Sequence, residues 1–384
     1  MTINFGTPRS GLAADERVLT PDGWTLVGDL VVGDFVMGSA GWPVEVTGVV
    51  RLGSQPAYRV RSGDGYLDCG DEHPWMVANK NTKNAKWVTR SLRDLLVSGL
   101  RQSSRASKYA QPKYRLPARP VVQYGEQHGS LPIDAYVLGL LLGDGSFRHP
   151  WATSYGSTDR ALLEAVRTEA TRLGCSIQSE KETHENFWVF YAASGQKYAP
   201  NLLTRAVREL GLWGHRDRDK FVPERYLLAS PADRLAMLHG LLDTDGNVLA
   251  SGAEFRVVSE QLARDVQDLA RSLGGFASYT TRTPDDSGFG GKQLIHHIYL
   301  RLPIGVPTFR LARKEEVRKE RKYAAPPTLQ SAEYLGLREL VSMAVAAEDG
   351  LFIAGDSLLT RGDCDPTAAT PAFSWIEPRA ALAG

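Results

Sequence analysis

Two segments of this chain are apolar around the whole helical circumference and stop at an acid followed by glycine. They are Leu138-Gly139-Leu140-Leu141-Leu142-Gly143-Asp144-Gly145 and Leu238-His239-Gly240-Leu241-Leu242-Asp243-Thr244-Asp245-Gly246. A helix without a polar stripe is a buried helix. Gly139 and Gly240 supply small positions at which two such helices can cross closely. The terminal acids are unexpected, because the C-terminal end of a helix dipole disfavours negative charge. A bound cation removes that penalty. The pattern therefore predicts Asp144 and Asp245 as two carboxylates at the foot of a tight helix pair, sharing divalent metal.

The surrounding pattern repeats as well. Leu162, Val166 and Leu173 recur as Leu262, Val266 and Leu273, and Gly174 or Gly274 follows the last apolar position, as a helix C-cap should. Strand-like runs come next in each copy: Cys175–Glu182 and Phe187–Ser194, then Phe276–Thr283 and Leu294–Leu302. Ser176, Gln178 and Glu180 alternate with Cys175, Ile177 and Ser179, which predicts one polar strand face. Self-similarity at a fixed offset marks a duplicated unit, here helix, strands, helix, strands.

Outside this region the period changes. Residues 11–95 set short Val-rich runs (Val44–Val50, Tyr58–Arg61, Trp75–Ala78) between turn signals such as Pro21-Asp22-Gly23 and Gly41-Trp42-Pro43. Glu339–Thr360 reads the same way. Strands at this spacing predict an all-β module. The fold class is thus α+β for the duplicated part and all-β for its flanks.

At 384 residues the chain is long enough for two or more domains. No apolar stretch approaches a membrane span and no signal peptide is evident. Three cysteines without close spacing argue against a disulfide framework. These features together predict a cytoplasmic protein with no membrane partner. A net charge of +1 says nothing for nucleic acid, but its distribution does. Arg101, Arg105, Lys108, Lys113, Arg115 and Arg119 follow one another with no acid before Glu126, and Tyr109 and Tyr114 are interleaved. That run is either a phosphate-tracking surface or a solvated linker. Between Arg313 and Lys322 acids balance the cations, which predicts a solvated helix face.

The two motifs and their matched elements resemble the LAGLIDADG (dodecapeptide) homing endonucleases over roughly residues 130–325. The resemblance implies a pseudo-two-fold αββαββ fold, a monomer with an internal pseudo-dimer, and double-stranded DNA as partner. It implies Mg²⁺ (or Mn²⁺) held by Asp144 and Asp245, with Gly143 and Thr244 beside them in the metal site. Asp219-Lys220-Phe221-Val222-Pro223 is similar to the family's lysine block, which makes Lys220 a catalytic candidate. In the second repeat the equivalent is Lys314, with Lys292 as the alternative. Asp243 is expected to be structural, and His215, His296 and His297 structural or DNA-facing.

A second resemblance covers the flanks. Gly11-Leu12-Ala13-Ala14-Asp15, Val27-Gly28-Asp29-Leu30, Asp71-Glu72-His73-Pro74-Trp75 and Asp349-Gly350-Leu351-Phe352-Ile353-Ala354-Gly355 through Leu359-Thr360 are similar to blocks of an intein splicing (Hint) domain. This implies an N-terminal extension (1–10), a Hint-like N-terminal part with basic linker (11–125), and an endonuclease (126–325, repeats about 131–228 and 229–325). A Hint-like C-terminal part (326–362) and a tail (363–384) complete the organisation. The family's junction chemistry is missing. Gly11 stands where a nucleophile is needed, Gly70 where Thr is usual, and Arg361-Gly362-Asp363 where His-Asn and Cys, Ser or Thr are. Of the splicing positions Gly11, His73, Arg361 and Gly362, His73 alone survives, and it is expected to be structural. The sequence leaves open whether Gly11 and Arg361-Gly362 are native residues. The expected function is a metal-dependent, site-specific DNA endonuclease whose Hint domain does not splice. An intein that retains splicing and a non-catalytic DNA-binding regulator are the alternatives.

Overall fold

The computed structural model describes residues 10–82, 84–104, 107–125, 129–148, 152–184, 187–193, 201–283, 294–319 and 326–362. The chain divides into two compact units, Met1–Tyr124 with Ala325–Gly384, and Gly125–Ala324.

The discontinuous unit is built from strands in which early and late segments of the chain interleave. Leu12 pairs with Val341, and Val18 with Ala354. The dominant pairing joins Pro43–Arg61 to Ser331–Val345, running from Arg61 opposite Ser331 to Val46 opposite Val345. Two separate short strands are expected here from the sequence; the structure has one long strand. Gly53 carries it through the polar interruption by taking φ +69°, beside a register shift between Leu340 and Val341. Val46, Val60, Leu67, Val341 and Phe352 lie in the core this arrangement closes.

The basic run is not a linker. Arg101–Ser104 and Ser107–Pro112 pair as an antiparallel hairpin. Lys113 Nζ donates to Ser98 O at 2.9 Å, and Arg115 stacks over Trp87. Arg119 is buried: Nη1 and Nη2 donate to the Asp64 carboxylate at 2.8 and 2.9 Å, and Nε donates to Ser357 O at 2.7 Å. Arg119 is therefore withdrawn from any phosphate role, because its charge is spent on an equally buried acid. Arg105 and the Lys108 side chain lie outside the described residues. Substituting Arg119 by Gln is expected to lower the unfolding free energy, measured by denaturant titration, by about 3–5 kcal/mol, the usual penalty for stranding one half of a buried ion pair.

The second unit shows the duplication directly. Ala135–Asp144, Gly145–Ser146, Thr153–Ser157, Arg160–Arg172, Ser176–His184 and Phe187–Ala193 form the first copy. Pro231–Asp245, Gly246–Leu249, Gly252–Val257, Glu260–Ser272, Phe276–Arg282 and Ile295–Arg301 form the second. Both sheets have the same strand order, with the fourth strand of the copy inserted between its second and third. Side-chain caps start the helices: Asp134 and Ser230 accept from Val137 N and Asp233 N, and Asp159 and Ser259 do so for the later pair. Gly174 and Gly274 follow those later helices at φ +68° and +78°. The strand register shifts between Ile177 and Glu180, and the side chains of Gln178, Ser179 and Glu180, on which the expected alternation rests, lie outside the described residues.

The motif helices pack on each other through their glycines. A Cβ on Gly139 would lie 2.5 Å from Met237 O, and one on Gly240 would overlap Tyr136 O. Backbone-to-backbone approach at this crossing is thus the reason for glycine at both positions. Leu138, Leu140, Leu141, Leu238, Leu241 and Leu242 are fully buried around it.

Candidate active site

Each motif helix ends at its acid, and the next residue turns away in extended conformation while its N–H still caps the helix. Gly145 N donates to Leu141 O and Gly246 N to Leu242 O. Their φ values are ordinary, so backbone freedom does not explain the glycines. Space does: a Cβ at either position would collide with the carbonyl it caps. Gly143 is equally confined, against the Thr244 side chain of the other repeat, whose Oγ1 donates to Leu241 O at 2.9 Å. These contacts bring the two motif ends together.

Both acids are open to solvent, and both carboxyls are raised. Burial raises the Asp144 carboxyl above its usual range, with Lys220 and Lys314 pulling it back. Burial pushes Asp245 up to about 6, and the charge of Asp144 adds to that. The two lysines occupy matching places. Lys220, 3% exposed, donates from Nζ to Gly143 O at 3.1 Å and Gly145 O at 2.9 Å. Lys314 donates from Nζ to Leu242 O, Asp243 O and Gly246 O, each at 2.8 Å. Each ammonium therefore gathers the carbonyls of its own motif turn. Burial depresses the Lys314 ammonium, against the charge of Asp243. It is Lys314 that is seated at the second motif; Lys292 lies outside the described residues.

Asp243 joins this arrangement through its carbonyl oxygen, while its carboxylate is engaged between the helices. It is buried between the helices, and its Oδ2 accepts from Tyr136 Oη at 2.9 Å. His296 pairs its Nδ1 with Tyr279 Oη. Several site residues escape sequence reasoning. A cleft of about 680 Å³ beside the first motif is lined by Asp144, Lys220, Arg148, His215, Arg216 and Asp217, among others. Asp217 Oδ1 lies 3.0 Å from Lys220 Nζ. The charged run Arg216-Asp217-Arg218-Asp219 ahead of Lys220 is the signal that could have flagged them.

Among the described residues no group of three or more His, Cys, Asp or Glu side chains is placed to hold a metal ion. Two carboxylates and neighbouring main-chain carbonyls remain as donors. Hard oxygen donors in small number suit Mg²⁺ or Mn²⁺, since Mg²⁺ usually keeps several of its waters. Two solvent-accessible carboxylates, one raising the pKa of the other, are also an electrostatic setting that a cation relieves. The residues present fit such an ion.

The splicing positions fall in the other unit. His73 is buried, its ring 2.5 Å from Thr360 Oγ1 through Nε2, and burial lowers its pKa to about 3. Gly11 O accepts from Gly70 N at 2.9 Å, and a Cβ on Gly11 would stand 2.9 Å from Val341 O. Gly362 N donates to Gly350 O, and a Cβ there would overlap Met343 O. Arg361 Nη1 donates to Thr89 Oγ1.

Residues 232–300, the core of the second repeat, match the family model described as a LAGLIDADG-like domain. That segment is similar to LAGLIDADG-like domains. The resemblance read from the motifs is supported over these residues, and the combination of an α+β unit with an all-β unit holds. Among curated proteins, the replicative DNA helicase DnaB of Mycobacterium intracellulare is 26% identical over 345 residues, 84% of this chain and 52% of that one. DnaB of Rhodothermus marinus is 28% identical over 163 residues, 40% of this chain and 17% of that one. The chain thus spans about half the length, or less, of the curated relatives it matches. Similar solved structures include the homing endonuclease I-DmoI in complex with DNA and Ca, at 16% identity and TM-score 0.31, covering 44% of this chain and 83% of that one. The MchDnaB-1 intein is 32% identical with TM-score 0.17, covering 17% of this chain and 52% of that one. Among the described residues no helix is long and apolar enough to cross a membrane.

Proposed function

We propose that this protein is a site-specific, metal-dependent DNA endonuclease whose intein-like unit does not splice. The observation that carries the reading is the paired motif end: two solvent-accessible carboxylates with raised pKa on glycine-crossed helices, the charge of Asp144 adding to the rise at Asp245, each next to a lysine that gathers the carbonyls of its turn. Asp144 and Asp245 would hold divalent metal, which supplies a polarised scissile phosphate, an activated water and a stabilised leaving oxygen. Lys220 and Lys314 keep the two turns in shape and place positive charge beside the reacting phosphate. With one acid per repeat, each half serves one strand, so a single chain makes a double-strand break. The names of solved relatives, homing endonucleases in complex with DNA, support the same partner.

The sheets support it physically. In the second repeat Ala253, Phe255, Ala277, Ile298 and Leu300 are buried on one face. The opposite face is polar and cationic, and a ribbon of that kind can enter the major groove and read base edges. The test is incubation of the full chain with a library of duplex sites and Mg²⁺. Cleavage concentrated at one long sequence is expected; uniform absence of nicking at every site, with duplex binding intact, would favour a non-catalytic regulator.

A further inference from the structure

The polar sheet face of the second repeat carries a single carboxylate. Across Gly246–Leu249, Gly252–Val257, Phe276–Arg282 and Ile295–Arg301, Glu254 is the only Asp or Glu. A lone anion on a surface that meets phosphates weakens binding, so its presence calls for a reason.

Pairing places it. Arg256 and His297 are direct cross-strand partners, and Glu254 shares their face two residues along the strand. Glu254 Oε2 lies 2.7 Å from Arg256 Nη2, and its Oε1 lies 3.2 Å from His297 Nδ1. Both oxygens are thereby engaged. Glu254 is then not placed to accept from a cytosine amino group, the direct use of a glutamate in base reading. Arg256 is half exposed and has an extended, rotamer-rich side chain, with much freedom to lose on meeting a ligand. An acid that fixes the guanidinium beforehand lowers that cost and keeps it off the nearest phosphate.

We infer that Glu254 is a positioning residue for sequence reading, holding Arg256 and His297 as a pre-set pair aimed at adjacent base pairs of the second half-site. This rests on the DNA-binding reading above. With Nδ1 facing the carboxylate, His297 has Nε2 to offer to a base, and Arg256 keeps its remaining N–H groups for the bidentate contact that guanidinium makes with guanine. Freed from Glu254, Arg256 can instead reach phosphate, a contact that carries no sequence information.

The experiment is selection from a pool of duplexes with a randomised stretch, using the full chain in Ca²⁺, for the unchanged protein, Glu254→Ala, Glu254→Gln and Arg256→Ala. Salt titrations of binding to mixed-sequence DNA accompany it. Glu254→Ala should lose discrimination, by about tenfold or more, at two or three neighbouring base pairs only. It should also bind mixed-sequence DNA more tightly, with a log–log salt slope steeper by about one unit. Glu254→Gln, which keeps one acceptor, should retain part of the discrimination. Arg256→Ala should lose preference at the same base pairs and lose affinity as well. Retained mixed-sequence binding shows that each variant is folded. Unchanged selected bases and slope in Glu254→Ala overturn the inference, as does an Arg256→Ala effect at different base pairs. If the unchanged protein enriches no sequence, the DNA-reading function itself falls, and the inference with it.

Discussion

Asp144→Asn and Asp245→Asn are each expected to abolish double-strand cleavage, lowering the rate by a factor on the order of 10³ or more, while leaving DNA affinity nearly unchanged. The expectation follows from where the acids stand. Both are helix-terminal and open to solvent with raised carboxyl pKa, each next to a lysine bonded to main-chain carbonyls, and neither lies on a sheet face that could read bases. Removing one carboxylate charge takes away a metal donor and removes the repulsion that raises the Asp245 carboxyl. Both variants should therefore fold at least as stably as the parent when no divalent ion is present. The two readouts separate the possibilities. A nicked product from either single variant, with the other strand intact, is the signature of one acid per strand. Full cleavage by either variant would sink the assignment of that acid, and lost DNA binding would mean the acid orders the site instead of serving chemistry.

The sequence made the duplicated unit legible because its signals are local. The apolar positions of the two copies recur at a fixed offset, and Gly174 and Gly274 stand where left-handed backbone is needed. The motif glycines are legible for a different reason. Gly139 and Gly240 break long leucine runs at positions where only a close helix crossing rewards the loss of a side chain. What stayed hidden depends on partners distant in the chain. Arg119 reads as one more cation of a basic stretch, and only the fold brings it to Asp64, which is 55 residues away. Lys314 sits in a charge-balanced run that resembles a solvent face, yet its ammonium reaches back about seventy residues to the second motif turn. Pro43–Arg61 reads as two strands because a polar stretch around Gly53 interrupts the apolar period, and the long partner Ser331–Val345 bridges that gap. In each case pattern gives the element, while the charge or the length is decided by a segment that pattern cannot pair.

No protein splicing is expected from this chain when it is expressed between two reporter domains; only full-length precursor should be seen on a gel. Splicing opens with attack by a side-chain nucleophile at the first junction, and Gly11 has none. At the second junction Arg361 is too basic to pass a proton near neutrality, and Gly362 has no side-chain amide to cyclise. The fold has also closed over both places. Any Cβ at Gly11 stands 2.9 Å from Val341 O, and one at Gly362 overlaps Met343 O, so each backbone is packed where a reacting side chain would need room. His73 sits neutral and buried against Thr360, a contact that pins the last strand to the strand after His73 whether or not any chemistry occurs. Restoring Cys at Gly11 and Asn at Gly362 together should therefore yield little or no ligated product without local backbone movement, and should cost stability of about 1–3 kcal/mol through overpacking. Ligated reporters from the unaltered chain would overturn this reading outright. Efficient ligation by the doubly restored variant, at unchanged stability, would show instead that the junctions lack only their nucleophiles and that the surrounding architecture remains competent.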